Sequence, residues 1–347
     1  MTNLANNPYT LTFGRRPLSY ISRLEQANIV IESFSADYPT SQVFVISGVR
    51  GAGKTVLMTT ISSELESRAD WITLELNAER DLLEGLAARL YSISTLQPLF
   101  AEAQIDLSLF GIGLKLSNCA PVTDIEVAIE RMLKVLKKHG KRLLVTIDEV
   151  TNSKNVKTFV SAFQIFMRHD YDVFLLMTGL YENISNLQNE DTLTFLYRAP
   201  KINLAPLNIG AIQYNYKDVF DITDSEALEM AKNTKGYAFA YQVLGYVRWE
   251  NRDKSLEEVY RLYEQQLEDF VYQKIWAELS SKDREVMKAI DSDGEMRTKD
   301  VRDALGMSSS LFSSYRDRLE KKGLIDTSKY GYISLTLPRF SRFTAKM

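Results

Sequence analysis

Through roughly its first two hundred positions the chain alternates between short apolar runs and amphipathic stretches, and after that the apolar runs cease. QVFVIS, ending at Ser47, reads as a buried strand, and in the following TVLMTTISSELES the residues Val56, Met58, Ile61 and Leu65 recur at roughly helical spacing. WITLEL (Trp71–Leu76) repeats the strand signal, and an amphipathic helix follows from about Arg80 to Leu96, stopping short of Pro98. In QIDLSLFGIGLKLS, Ile105, Leu107 and Leu109 alternate with polar residues, Gly111 and Gly113 interrupt, and Leu114 and Leu116 resume the alternation. Residues 104–118 therefore read as a β-hairpin ahead of a helix from Ile125 to His139. Such a hairpin is either a packing ornament or a contact surface for a neighbouring subunit or DNA.

Leu143–Ile147 in RLLVTIDEV and the run DVFLLMTGL add two more strands, and INLAPL closes the series. Strands alternating with helices imply an α/β fold, a parallel sheet with helices on both faces and a ligand at its carboxyl edge. From Asn208 to about Asp269 the pattern is helical throughout, which marks a second, all-α domain. The last segment opens with LSSKDREVMKAI, a helix capped by Ser280 or Ser281 ahead of Val286, Met287 and Ile290. A short helix TKDVRDAL, a turn at Gly306, a longer helix SSLFSSYRDRLEKKG and a hairpin LIDTSKYGYISLTLP with Tyr330 and Gly331 at its tip complete it. In the longer helix Leu311, Tyr315 and Leu319 fall at i, i+4 and i+8 and should face inward, leaving Ser310, Ser313, Ser314, Arg316 and Lys321 more exposed. Three helices and a hairpin make a winged helix-turn-helix, whose third helix enters a major groove. The expected domains are 1–206, 207–270 and 271–347.

Composition narrows the chemistry. One cysteine, Cys119, excludes an intramolecular disulfide framework or a Cys-rich zinc site and fits a reducing cytosol. Two histidines, His139 and His169, leave little room for a histidine metal site or a Ser-His-Asp triad. The start MTNLANNPYT lacks the apolar core of a signal peptide, and no stretch reaches about 18 uninterrupted apolar residues. A soluble, cytoplasmic protein without a membrane contact is the expectation. A net charge of −3 argues against a uniformly basic nucleic-acid coat. From Trp276 onward, however, 14 Lys or Arg stand against 11 Asp or Glu, a local balance of about +3. Duplex DNA is the expected partner of that segment; the serine-rich outer face offers few bidentate base readers, so specificity should be modest.

The chemistry centres on GVRGAGKT, directly after the first strand, which matches G-x4-G-K-[ST] in full at Gly48, Gly53, Lys54 and Thr55. Strand, loop and helix are the context this pattern needs. Gly48, Val49, Arg50, Gly51, Ala52, Gly53, Lys54, Thr55 and Val56 would curl so that backbone amides converge on the phosphates of ATP, aided by the dipole of the following helix. Lys54 would reach the β and γ phosphates and Thr55 would ligate Mg²⁺. A second phosphate-site element follows in RLLVTIDEV: Asp148, at the end of its strand, near the metal, and Glu149, placed to polarise an attacking water. Having both acids favours hydrolysis over binding alone. Thr178, near the end of the strand DVFLLMTGL, lies between the two sites if the strands are neighbours; it is either a γ-phosphate sensor or a strand cap.

In this order of parts the chain resembles the AAA+-type P-loop ATPases of the prokaryotic group related to archaeal ATPases, and its layout is similar to that of the origin-recognition initiator ATPases. NPYTLTFGRRPLSYISR resembles that group's amino-terminal box: Asn7, Pro8, Tyr9, Phe13, Gly14, Pro17 and Arg23 match it, and Ser22 replaces the usual glycine. The resemblance implies that Tyr9 and Arg23 contribute to the adenine region. It also implies a role for Arg198, in YRAPKINLAPL, as an arginine that reaches a nucleotide on the next subunit of a nucleotide-dependent homo-oligomer; an ordinary surface ion pair is the competing reading. Gly236–Phe239 resembles the group's G-Y-P-[FY] segment with Ala238 in place of proline, no arginine occupies the expected start of that helix, and Arg248 is a weak substitute.

Two functional classes remain open on the sequence. One is an ATP-hydrolysing, DNA-associated switch in which nucleotide state repositions the winged helix. The other is a nucleotide-gated regulator or scaffold with little turnover, whose winged helix binds a protein. A signal-transducing ATPase shares the same core but normally needs a sensor or repeat domain, and no internal repeat is present.

Overall fold

Each apolar run of the first two hundred residues becomes a strand in the computed structural model, which describes residues 6–12, 17–113 and 121–347. The strands are β1 (Val43–Ser47), β2 (Trp71–Leu76), β3 (Arg142–Ile147), β4 (Val173–Gly179) and β5 (Lys201–Asn203). They form one parallel sheet in the order β2-β3-β4-β1-β5. Every residue of β1 and β4 is buried, as strands covered on both faces must be. The edge strand β5 instead exposes Lys201 and Asn203 on either side of buried Ile202, with Pro200 just ahead of it. A lysine and a proline there discourage pairing with a foreign strand.

The described chain divides into two compact units that do not follow sequence order. One comprises Arg23–Ser47 and Leu57–Asn203; the other comprises Met1–Ser22, Gly48–Val56 and Leu204–Met347. In the first, Val45, Val145, Ile147, Leu175 and Met177 pack on one face of the sheet with α3 (Leu82–Ser92), α5 (Ile125–Lys138) and α6 (Lys154–Arg168). On the other face Phe34, from α1 (Leu24–Ser35), meets Phe44 and Phe174, and Phe174 meets Trp71. The helix α2 (Lys54–Glu66) leaves the glycine-rich loop, and α4 (Gln97–Glu102) and α7 (Tyr181–Gln188) complete the set around the sheet.

Local chemistry explains where these helices start. Asp81 accepts from the amides of Leu83 and Glu84, so α3 begins after it and ends at Ser92, short of the expected Leu96. Pro98 then sits in the first turn of α4, where its missing N–H costs nothing. The expected hairpin at 104–118 is not formed in its described half. The Asp106 side chain accepts from Ser108 N at 2.9 Å, and Ser108–Phe110 make a 3-10 turn. Ile105 and Leu107 are buried while Leu109 is 60% exposed, so the alternation belongs to an irregular loop, because an aspartate turn competes with the strand. Residues 114–118 lie outside the described residues.

In the other unit, α8 (Ile209–Phe220), α9 (Asp224–Lys232), α10 (Ala238–Glu250) and α11 (Leu256–Leu267) lead through one π-helical turn, Glu268–Tyr272, into α12 (Gln273–Ala277). The end of the chain then runs α13 (Ser281–Ala289), β6 (Met296–Arg297), α14 (Thr298–Ala304), α15 (Ser309–Lys321), β7 (Ile325–Asp326), β8 (Tyr332–Leu335) and α16 (Phe340–Thr344). Ser280 is the cap of α13, in a reciprocal pair with Asp283. Beyond the expected three helices and hairpin, β6 adds a third antiparallel strand, giving the order β6-β8-β7. On α15 the inward residues are Phe312 and Leu319, while Leu311 is 47% exposed. The inward stripe is therefore rotated from the one read in the sequence, because the larger Phe312 takes the core position a heptad from Leu319.

Candidate functional site

The loop Gly48–Thr55 follows Ser47 at the carboxyl end of β1. Gly51 and Gly53 have φ of +77° and +93°, the left-handed region that side chains rarely adopt. Ala52 lies between them and donates its N–H to Val49 O at 3.1 Å. Left-handed residues interspersed among ordinary ones are the backbone pattern from which anion-binding nests are built. Lys54 opens α2, is 8% exposed, and donates from Nζ to Gly48 O at 3.1 Å and Val49 O at 3.2 Å, so its ammonium curls back over the loop. Thr55 and Val56 follow in the first turn of α2, half-buried.

Residues far along the chain hold the loop from outside. Tyr237 OH donates to Arg50 O at 2.6 Å, Phe239 N donates to Gly51 O at 3.1 Å, and the Arg50 guanidinium pairs with Glu278 at 2.8 Å. Burial pushes the Tyr237 phenol far above the usual tyrosine range, so it stays a neutral donor. A Cβ at Gly51 would lie 2.2 Å from Tyr237 OH and 2.9 Å from the Phe239 Cβ. Gly51→Ala should therefore lower the unfolding free energy by about 2–4 kcal/mol, from left-handed strain and overpacking together. Urea denaturation measures it, and an unchanged midpoint would contradict the contact. None of these partners belongs to the loop's own motif; the only sequence signal was Gly236–Phe239.

The acidic edge belongs to the sheet unit. Val45 pairs with Met177 and Met177 with Ile147, so β4 lies between β1 and β3; β1 and β4 end level at Ser47 and Gly179, and β3 ends two residues earlier. Asp148 follows Ile147, and the fully buried Thr178 donates its hydroxyl to the Asp148 carboxylate. Glu149 donates its amide to Asp148 Oδ1 at 3.0 Å and to Thr178 Oγ1 at 3.3 Å. Its φ of +51° is unusual for a residue other than glycine. That turn lets Val150 N reach Thr178 O at 2.8 Å and leaves the Glu149 residue exposed. Asp148 is thus oriented by two donors, and Glu149 is displayed at the sheet edge. At the end of β1, Ser47 donates its hydroxyl to the Asn203 side-chain oxygen, a pairing that β5 register brings about.

The remaining expected residues are spread more widely. Tyr9 is 2% exposed; its hydroxyl donates to Asn215 Oδ1 at 2.8 Å and its ring packs among Tyr216, Phe220 and Tyr241 of α8 and α10. A Cβ at Gly245 would sit 2.5 Å from that ring, so glycine makes room for it. Pro17 is half-buried, and Phe13 and Gly14 lie outside the described residues. Arg23 precedes α1, and partial burial draws its guanidinium below the usual arginine range. Arg198 ends the 3-10 segment Asp191–Arg198 and is exposed, with no ion pair among the described residues. Arg248 is committed elsewhere: it pairs with Glu226 at 3.4 Å and donates to the carbonyls of Arg252 and Lys254. It stands about 15 Å along α10 from the end that meets the loop.

With this geometry in hand, comparison with known proteins gives a fold. A domain of unknown function (DUF8462) matches residues 269–344. Among curated proteins no sequence matches. The chain is similar to the Walker-type ATPase PABY2304 of Pyrococcus abyssi, at 17% identity over 96% of this chain and 97% of that one, with a TM-score of 0.63. It is likewise similar to the ORC2 protein of Aeropyrum pernix, solved in ADPNP–ADP complexes, at 14% identity over 96% of each chain and a TM-score of 0.59. The likeness shows the fold, a parallel-sheet core of the P-loop NTPase kind followed by a helical part. No helix among the described residues is long and apolar enough to cross a membrane.

Proposed function

We propose that this chain binds and hydrolyses ATP with Mg²⁺ and acts as a DNA-associated switch, its nucleotide state coupled to the carboxyl-terminal segment and to assembly. One observation carries the reading: a complete phosphate-loop motif leaves β1, while the neighbouring strand ends present Asp148 and Thr178 already bonded to each other. The cradle fits phosphates, because Cβ atoms at Gly51 and Gly53 would meet left-handed strain just where amides must converge. Lys54 offsets phosphate charge, and Thr55 and Asp148 are the oxygens that would hold Mg²⁺. No group of three His, Cys, Asp or Glu among the described residues could hold a metal, and Mg²⁺ bound through phosphates and one or two protein oxygens needs none. The metal, when bound, neutralises charge on the phosphate oxygens. Glu149 orients the attacking water and accepts its proton, Thr178 keeps Asp148 aligned, and Arg198 is exposed where a second copy can use it. Tyr9, enclosed by α8 and α10, anchors the amino-terminal segment beside the nucleotide, with Arg23 at its end.

In this reading residues 1–206 are the ATPase core, 207–270 the lid and 271–347 a winged helix that meets duplex DNA, in a cytoplasmic protein. Most cations of the last segment are already paired: Arg302 with Asp303, Arg316 with Asp317, Arg318 and Lys322 with Asp283, Lys329 with Glu295. Lys288 lies over the Trp276 ring, and exposed Arg297, Lys299 and Lys321 remain for phosphates. A titration of random duplex DNA should then give a slope of log K against log salt of about −2 to −3. A flat response would favour the alternative, a scaffold with little turnover whose α15 binds a protein. The exposed Leu311 among Ser309, Ser310 and Ser314 is the observation on that side. Calorimetry tests the core of the proposal: no uptake of MgATP at millimolar concentration would remove it.

A further inference from the structure

Five residues, Lys235–Phe239, run between the phosphate loop and the small sheet near the end of the chain, and both ends of the stretch are tied by polar contacts. We propose that this stretch transmits the state of the phosphate loop to the sheet β6-β8-β7, with Tyr237 as the positioning residue at the loop and Lys235 as the anchor at the sheet. The inference rests on the nucleotide reading above and names its regulation.

At the loop end, the contacts fall on two consecutive peptide groups. A peptide is planar, so the carbonyl of Arg50 and the amide of Gly51 turn together, as do the carbonyl of Gly51 and the amide of Ala52. Tyr237 OH holds the first carbonyl at 2.6 Å and Phe239 N holds the second at 3.1 Å. Any reorientation of those amides toward a phosphate therefore moves the Tyr237 hydroxyl and the start of α10. The Arg50–Glu278 pair brings the same loop to the residue just beyond α12.

At the sheet end, Lys235 Nζ donates to Asp293 O at 2.7 Å and to Leu335 O at 2.9 Å, the residue that ends β8. Burial holds Lys235 below the usual lysine range, opposed by the nearby Asp293 carboxylate, so this cation is kept desolvated by carbonyls rather than by water. Between the two anchors the backbone has little freedom. Lys235 and Gly236 are consecutive left-handed residues, at φ of +49° and +72°. Gly236 O accepts from Leu207 N at 2.7 Å, and a Cβ at 236 would come within 2.5 Å of Leu207 O. A stretch this short, pinned in the middle and ending on backbone carbonyls at both sides, converts rotation of a loop peptide into displacement of β8. Packing alone would need the Tyr237 ring but not its hydroxyl.

Hydrogen exchange on the full chain with and without MgATP, read at residues 293–297 and 332–336, tests this. The unmodified protein should change its exchange there on binding. Tyr237→Phe keeps the ring and Lys235→Met keeps the stem; both should still bind MgATP, within about two- to thirty-fold of the parent, while the nucleotide-dependent change at 332–336 is lost. MgATP uptake with an unaltered exchange response in either variant, or uptake by the parent with no response, overturns the inference and leaves the nucleotide reading standing. Absence of uptake by the parent overturns both.

Discussion

Phosphate release from MgATP by Glu149→Gln should fall about 10²- to 10³-fold, while MgATP affinity stays within a few-fold of the parent. The substitution preserves size and removes the charge that can accept a proton from water, an effect of the magnitude general-base removal produces. The backbone gives the prediction a control. Glu149 sits at φ +51°, where glycine is at ease, so Glu149→Gly should lose the same rate yet keep its unfolding free energy within about 1 kcal/mol, because relief of left-handed strain offsets the flexibility added to the unfolded chain. Turnover retained in both variants would show that the displayed carboxylate has no part in hydrolysis. Glu149 is an exposed acid at a left-handed φ whose amide donates to Asp148 and Thr178, so the two substitutions separate its carboxylate from its backbone.

Lys54→Ala should reduce turnover by about 10²- to 10³-fold and also weaken MgATP binding, separating it from the Glu149 variants. Its ammonium is drawn over the loop by the carbonyls of Gly48 and Val49, so it is pre-placed where phosphate charge would gather. A positive charge serves both the bound nucleotide and the charge that develops on hydrolysis, which is why affinity and rate fall together. Calorimetry and steady-state phosphate release on the same preparation distinguish the two; a parental affinity in Lys54→Ala would mean the lysine does not face the ligand.

Much of this was legible locally. Five apolar runs became five strands because a buried parallel strand needs little beyond β-branched and large apolar residues bounded by turn formers. GVRGAGKT reads as a phosphate loop because its glycines report required backbone angles, and Gly51 and Gly53 adopt them. Where local signals compete, the reading failed. Asp106 captured Ser108 N and replaced a strand with a turn, and Phe312 displaced Leu311 from the inward stripe of α15. Two-residue strands such as β6 carry no periodicity at all.

What the amino-acid order by itself determined is the chemistry available: a phosphate loop, a strand ending in two acids, a threonine at the end of the next strand, and a helical part after them. These follow from contacts among residues close in sequence, where spacing dictates geometry. Only the tertiary structure decided that β4 lies between β1 and β3, bringing Thr178 onto Asp148 across thirty positions of chain, and that Tyr237, Phe239 and Glu278 clamp the phosphate loop. Strand order and long-range hydrogen bonds depend on which buried surfaces pack together, and no pattern along the chain encodes that choice.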